Sequence, residues 1–131
     1  MRTFILLLVV AIVTSGCHES MEDKAAREAR EYTVRYCPTP VTNGVRTDSV
    51  AFDKASRTYT YYCSFSGKMD NEQIISQHRS EIHRQLVQEI RQATRLKAYK
   101  EAEFIFAYVC RSEKNPQKII YSDKFTPKDY K

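Results

Sequence analysis

Three glycines, three histidines and the lack of any second long apolar run set the first limits on this 131-residue chain. So few glycines leave little material for a phosphate-cradling loop, and no such loop, nucleophile elbow or metal-spaced cysteine pair is present. Besides His18, the histidines are His78 and His83, five apart and about 140° around a helix, too far to share a metal as an i,i+4 pair would. Ser80 and Glu81 adjoin His78 but face different ways, so they make no triad. No metal, no cofactor and no catalysis are therefore expected. Internal repeats and low-complexity segments are absent too. One small α+β domain is the reading these limits leave.

What the chain does have is a strongly uneven distribution of apolar residues. They make up 42% of the whole, yet eleven of them fall in the first sixteen positions. Arg2 supplies a basic start, Phe4 to Val13 is an unbroken apolar run, and Thr14-Ser15-Gly16-Cys17 is a small-residue cluster. This is the layout of a secretory signal peptide, about half the roughly 20 residues of a spanning helix. Cys17 after Ser15-Gly16 resembles a bacterial lipobox, with Thr14 where Leu is usual, as in Bacteroidetes-type lipoproteins. The resemblance implies residues 1–16 as signal peptide, acylation of Cys17, residues 17–19 as a short tether and residues 20–131 as the domain. Two or three acyl chains would anchor it firmly, since each buried methylene contributes ~0.8 kcal/mol. The location implied is the bacterial cell envelope, at the outer membrane, on its periplasmic face or the cell surface. The acidic Glu19, Glu22 and Asp23 suit the first turn of a helix.

Ser20 and Asp23 form a capping pair for a helix to about Tyr36, with Ala25, Ala29, Tyr32 and Tyr36 on one stripe. Asn43-Gly44 marks a turn. Thr47–Phe52 and Thr58–Phe65 alternate as strands; in the second, Tyr59, Tyr61, Cys63 and Phe65 share the buried face, and Thr60 and Tyr62 point outward. Asp70 and Gln73 open a long helix over about 71–95, with Ile75, His78, Ile82, Leu86, Ile90 and Ala93 as its core stripe. A shorter helix over 96–102 follows, then strands 104–111 and 118–125, the first apolar on both faces and hence central, and a polar tail from Thr126. The order is α-β-β-α-β-β: a four-stranded, largely antiparallel sheet with helices packed on one face.

Cys37-Pro38, Thr47-Asp48-Ser49-Val50, Tyr59-Thr60-Tyr61-Tyr62 and Phe106-Ala107-Tyr108-Val109 together resemble a loose group of small bacterial lipoproteins. That resemblance implies a fold and an envelope location, and no activity. Tyr130 stands where members of the group often carry a cysteine.

With Cys17 acylated, Cys37, Cys63 and Cys110 remain for an oxidising compartment. Directly opposed strand cysteines have Cβ atoms ~4.5–5.5 Å apart, too far for a disulfide. A bridge from Cys37 to a strand cysteine is favoured, Cys110 ahead of Cys63, and three small buried thiols are the alternative.

The formal charge of +5 is partly gathered on the long helix, where Arg84, Arg91 and Arg95 project opposite Ile82 and Lys97 and Lys100 extend the row. Such a row is usually a solvated face, and it is also suited to anionic headgroups or an acidic partner. Export argues against nucleic acid, and a basic domain would repel the basic enzymes that lysozyme inhibitors bind. Tyr62 and Thr60 offer a second surface, suited to protein or glycan. The function expected is a lipid-anchored envelope binding or accessory protein without catalytic activity. The alternatives are a structural component docked on an anionic membrane by its basic helix and, behind both, an envelope hydrolase.

Overall fold

The computed structural model describes residues 18–131, so Cys17 and the signal segment lie outside the described residues. Helix α1 (Met21–Tyr36) opens where the Ser20 hydroxyl accepts the Asp23 N–H at 3.0 Å. Its Ala25 and Ala29 are wholly buried, and these small side chains let the helix lie close on β1 (Val45–Asp53). Between them, Asn43 and Gly44 both take positive φ, as a two-residue hairpin turn requires. A Cβ on Gly44 would lie only 2.9 Å from Cβ of Met69, so glycine is required there twice over.

The β1 strand pairs antiparallel with β2 (Thr58–Phe65), with a bulge between Thr47 and Ser49. β2 then runs parallel to β3 (Ile105–Ser112), and β3 pairs antiparallel with β4 (Ile119–Phe125), giving the order β1-β2-β3-β4. A parallel neighbour needs a long crossover. Residues 66–104 supply it as α2 (Glu72–Gln77), α3 (Arg79–Gln92), a 3-10 turn at Thr94–Leu96 and α4 (Lys97–Glu101).

The core lies between this helical layer and one sheet face. Tyr59, Tyr61, Cys63 and Phe65 of β2 meet Phe106 and Cys110 of β3 and Tyr121 and Phe125 of β4, beneath Ala29, Ile75 and Ile90. The alternation in β2 and β3 therefore falls as the sequence predicts, and the α+β order with a central β3 is the one expected. On the opposite face, among the described residues, no helix lies over Thr60, Tyr62 and Ile119; Tyr62 is 37% and Ile119 48% exposed. Among the described residues no helix is long and apolar enough to cross a membrane.

Two expectations are corrected. The long helix is broken at His78, which serves as C-cap of α2 and N-cap of α3 and so leaves the core stripe for solvent. Its Nδ1 lies 3.1 Å from Glu81. The break lets α2 and α3 pack separately on β4. The helix also stops at Gln92 rather than running through Arg95. Second, the tail is not loose: Thr126 and Asp129 form a capping box with Pro127 at the first turn, starting α5 (Pro127–Tyr130). Tyr130 is buried, and its hydroxyl donates to the Phe104 carbonyl at 2.7 Å.

Candidate functional site

Because α1 sits over β1, the tyrosines of β2 are roofed only in part, and a cavity of about 140 Å³ opens between α1 and α4. Glu28 and Tyr32 come from α1, Tyr59 and Tyr61 from β2, Arg95 and Leu96 from the 3-10 turn, and Tyr99 from α4. Each position follows from its element. Glu28 and Tyr32 are one turn apart on α1, Tyr59 and Tyr61 are alternate residues of one strand face, and the end of α3 at Gln92 swings Arg95 over them.

The tyrosines form a contiguous array of two stacked pairs joined by a tilted contact. Tyr59 lies 5.8 Å from Tyr99 and 5.3 Å from Tyr61, and Tyr61 stacks on Tyr108 at 4.9 Å. Burial pushes the Tyr61 hydroxyl up to about 12 and raises Tyr59, Tyr99 and Tyr108 as well. All four are therefore neutral donors at neutral pH. The charges at the cavity are Glu28 and Arg95. The Tyr99 hydroxyl donates to Glu28, and Lys24 lies 3.9 Å from the same carboxylate. Arg95 lines the cavity together with Tyr32 and Tyr61, and among the described residues no carboxylate lies within 4.0 Å of it.

Arg84, Arg91 and Arg95 are not brought into one row. Arg84 and Arg91 are exposed on α3, and Arg91 donates to the Asp129 carbonyl at 2.9 Å. Arg95 belongs instead to the tyrosine cavity. Tyr62 and Thr60 lie on the sheet face opposite the helical layer.

Cys37, Cys63 and Cys110 are free thiols, with Cys63 directly opposite Cys110 across the parallel pair β2/β3. The hydrogen bond to Cys63, reinforced by burial, holds Cys110 well above the ordinary thiol range, and burial raises Cys37.

A second cluster, unread in the sequence, fastens α3 to β4. Asp123 Oδ2 lies 2.7 Å from Nδ1 of His83 and accepts the Tyr121 hydroxyl at 2.6 Å. Arg79 stands over the Tyr121 ring and donates to the Ser122 carbonyl at 2.8 Å. The four-residue step from Arg79 to His83, which puts both on one face of α3, was the available signal, but the partner Asp123 is forty residues from His83. Burial raises the Asp123 pKa, and the hydrogen bonds from Tyr121 and His83 outweigh it, so the carboxyl titrates below its usual 3.8. A carboxyl depressed on folding stabilises the fold above its unfolded pKa and loses that contribution as pH falls through the folded one. Asp123→Asn is thus expected to flatten the loss of stability below about pH 4 in urea melts run from neutral to acid pH. A variant as acid-sensitive as the parent would exclude this role.

Residues 20–121 match the model of a family described as a domain of unknown function (DUF8479). The chain belongs to that family. No curated protein sequence matches it. Solved structures share the fold of this DUF8479 domain at low identity. A protein of Pseudomonas aeruginosa described as secreted is 11% identical with a TM-score of 0.71, over 84% of this chain and 92% of that one. The pilotin EpsS of the Vibrio vulnificus type 2 secretion system is 10% identical with a TM-score of 0.63, over 84% and 91%. The type II secretion pilotin AspS of Vibrio cholerae is 10% identical with a TM-score of 0.55, over 82% and 90%.

Proposed function

We propose that this DUF8479 domain is a lipid-anchored accessory protein of the bacterial cell envelope, held at the outer membrane through Cys17, that works by gripping another envelope protein rather than by catalysis. The tyrosine cavity carries the reading. Tyrosine and arginine are the residue types that dominate binding energy at protein interfaces, and here they line a recess open to solvent. The likeness of the fold to two pilotins of type II secretion systems supports a place in an envelope assembly. Glu19 is held on α1 by two hydrogen bonds from Arg27, 2.8 and 3.1 Å long, so a lipid on Cys17 would hold the domain close to the membrane.

A second surface is favoured by one observation, the exposure of Tyr62 and Ile119 on the bare sheet face. Docking on anionic lipid through a basic helix has less support, since Arg95 turns away from Arg84 and Arg91. Chemical crosslinking of the lipidated full-length protein in its native envelope, followed by capture, tests the proposal. A defined protein adduct is expected, lost with Arg95→Gln and retained with Arg84→Glu/Arg91→Glu. The opposite sensitivity, or adducts to lipid alone, would contradict it.

A further inference from the structure

Several basic side chains bordering the helical layer have a carboxylate partner. Arg27 pairs with Glu19 and Glu31, Arg57 with Glu22, Lys54 with Asp23 and Lys131 with Glu103. Arg95 has none within 4.0 Å among the described residues, and what sets it apart is its place against neutral phenols in a recess whose one carboxylate, Glu28, is engaged by Tyr99 and Lys24. Arg95 is exposed at the rim of this recess, and its fork of N–H donors borders a space large enough for a small group.

We propose that the cavity is a carboxylate-recognition site, in which Arg95 and the hydroxyls of Tyr32 and Tyr61 receive one carboxylate while Leu96 and the Tyr59/Tyr99 stack take the apolar atoms beside it. This rests on the partner-binding reading above and names the group the partner presents. Three features select a carboxylate. The guanidinium fork matches its two oxygens. A volume of about 140 Å³ admits one acidic side chain or a chain terminus, not a nucleotide or a folded segment. Finally, Glu28 in the same recess would oppose a doubly charged phosphate, while a single negative charge balances Arg95 one for one.

The test is a titration of the full-length protein in detergent, followed by NMR of the Arg95 Nε–H and the tyrosine rings. The probes are N-acetylleucine for a terminal carboxylate, the α-amide of N-acetylglutamate for a side-chain carboxylate, N-acetylleucinamide as the uncharged match, and inorganic phosphate. One or both carboxylates are expected to shift Arg95 and Tyr61 at millimolar concentration, and whichever binds tighter identifies the source. Replacing acid by amide, or Arg95 by Gln, is expected to weaken binding at least ~10-fold, with Arg95→Lys between. Circular dichroism confirms that each variant is folded. Binding of the amide equal to the acid, tighter binding of phosphate, or full binding by folded Arg95→Gln would overturn the assignment. Failure of both acid probes would also overturn it, while the envelope capture decides the partner-binding reading independently.

Discussion

Phe106→Ala is expected to destabilise the domain by about 3–5 kcal/mol, against the ~5–15 kcal/mol typical of a whole domain. Phe106 has no exposed surface and sits in central strand β3, opposite Tyr59 in the parallel ladder and Phe125 in the antiparallel one. Its ring meets Tyr130 edge-on at 5.5 Å and Tyr59 at 6.5 Å. Alanine would leave a void bounded by β2, β4 and α5 at once, in an aromatic layer whose rings are too bulky to collapse into it. Urea unfolding measures the loss directly, with an unchanged slope showing that the midpoint alone has moved. Tyr62→Ala, on the bare face of the neighbouring strand, should cost less than about 1 kcal/mol. Equal costs at the two positions would mean that the buried face has been misassigned.

Cys17→Ser is expected to have the largest effect on location, moving the protein from the membrane fraction to the soluble one. The reason is additive transfer energy: two or more acyl chains at ~0.8 kcal/mol per methylene hold a domain effectively permanently, whereas one is marginal and none leaves only weak surface attraction. The remaining attraction from basic residues would be salt-sensitive. Cell fractionation with a high-salt wash, combined with mass spectrometry of the mature N-terminus, reads both parts. A Cys17→Ser protein still membrane-bound after the wash, or a parent whose N-terminal peptide begins before Cys17 without lipid, would refute lipidation.

The strands were legible because each carries a local alternation. Tyr59, Tyr61, Cys63 and Phe65 declare one face of β2, and the doubly apolar β3 declares its central place. Strand order was not legible, since the parallel pairing of β2 with β3 depends on how a 39-residue crossover packs. The break at His78 was hidden because Ile75, Ile82, Leu86 and Ile90 keep a helical spacing across it. The docking of the tail, by contrast, was written in Thr126-Pro127 and Asp129, a capping box at the start of a helix of only four residues. The cavity was the least accessible feature. Arg95 reads as part of a basic row so long as α3 is carried through it, and only the stop at Gln92 turns it towards Tyr32, Tyr61 and Tyr99.

The central claim is that the α1/α4 cavity is where this protein meets its partner. Site-specific photocrosslinking in the native envelope tests it most directly, with a photoreactive phenylalanine derivative in place of Tyr32 at the cavity, Tyr62 on the sheet face or Arg84 on α3. The account predicts one discrete protein adduct from position 32, and little or none from 62 and 84. Adducts from position 62 or 84 with position 32 silent would contradict it.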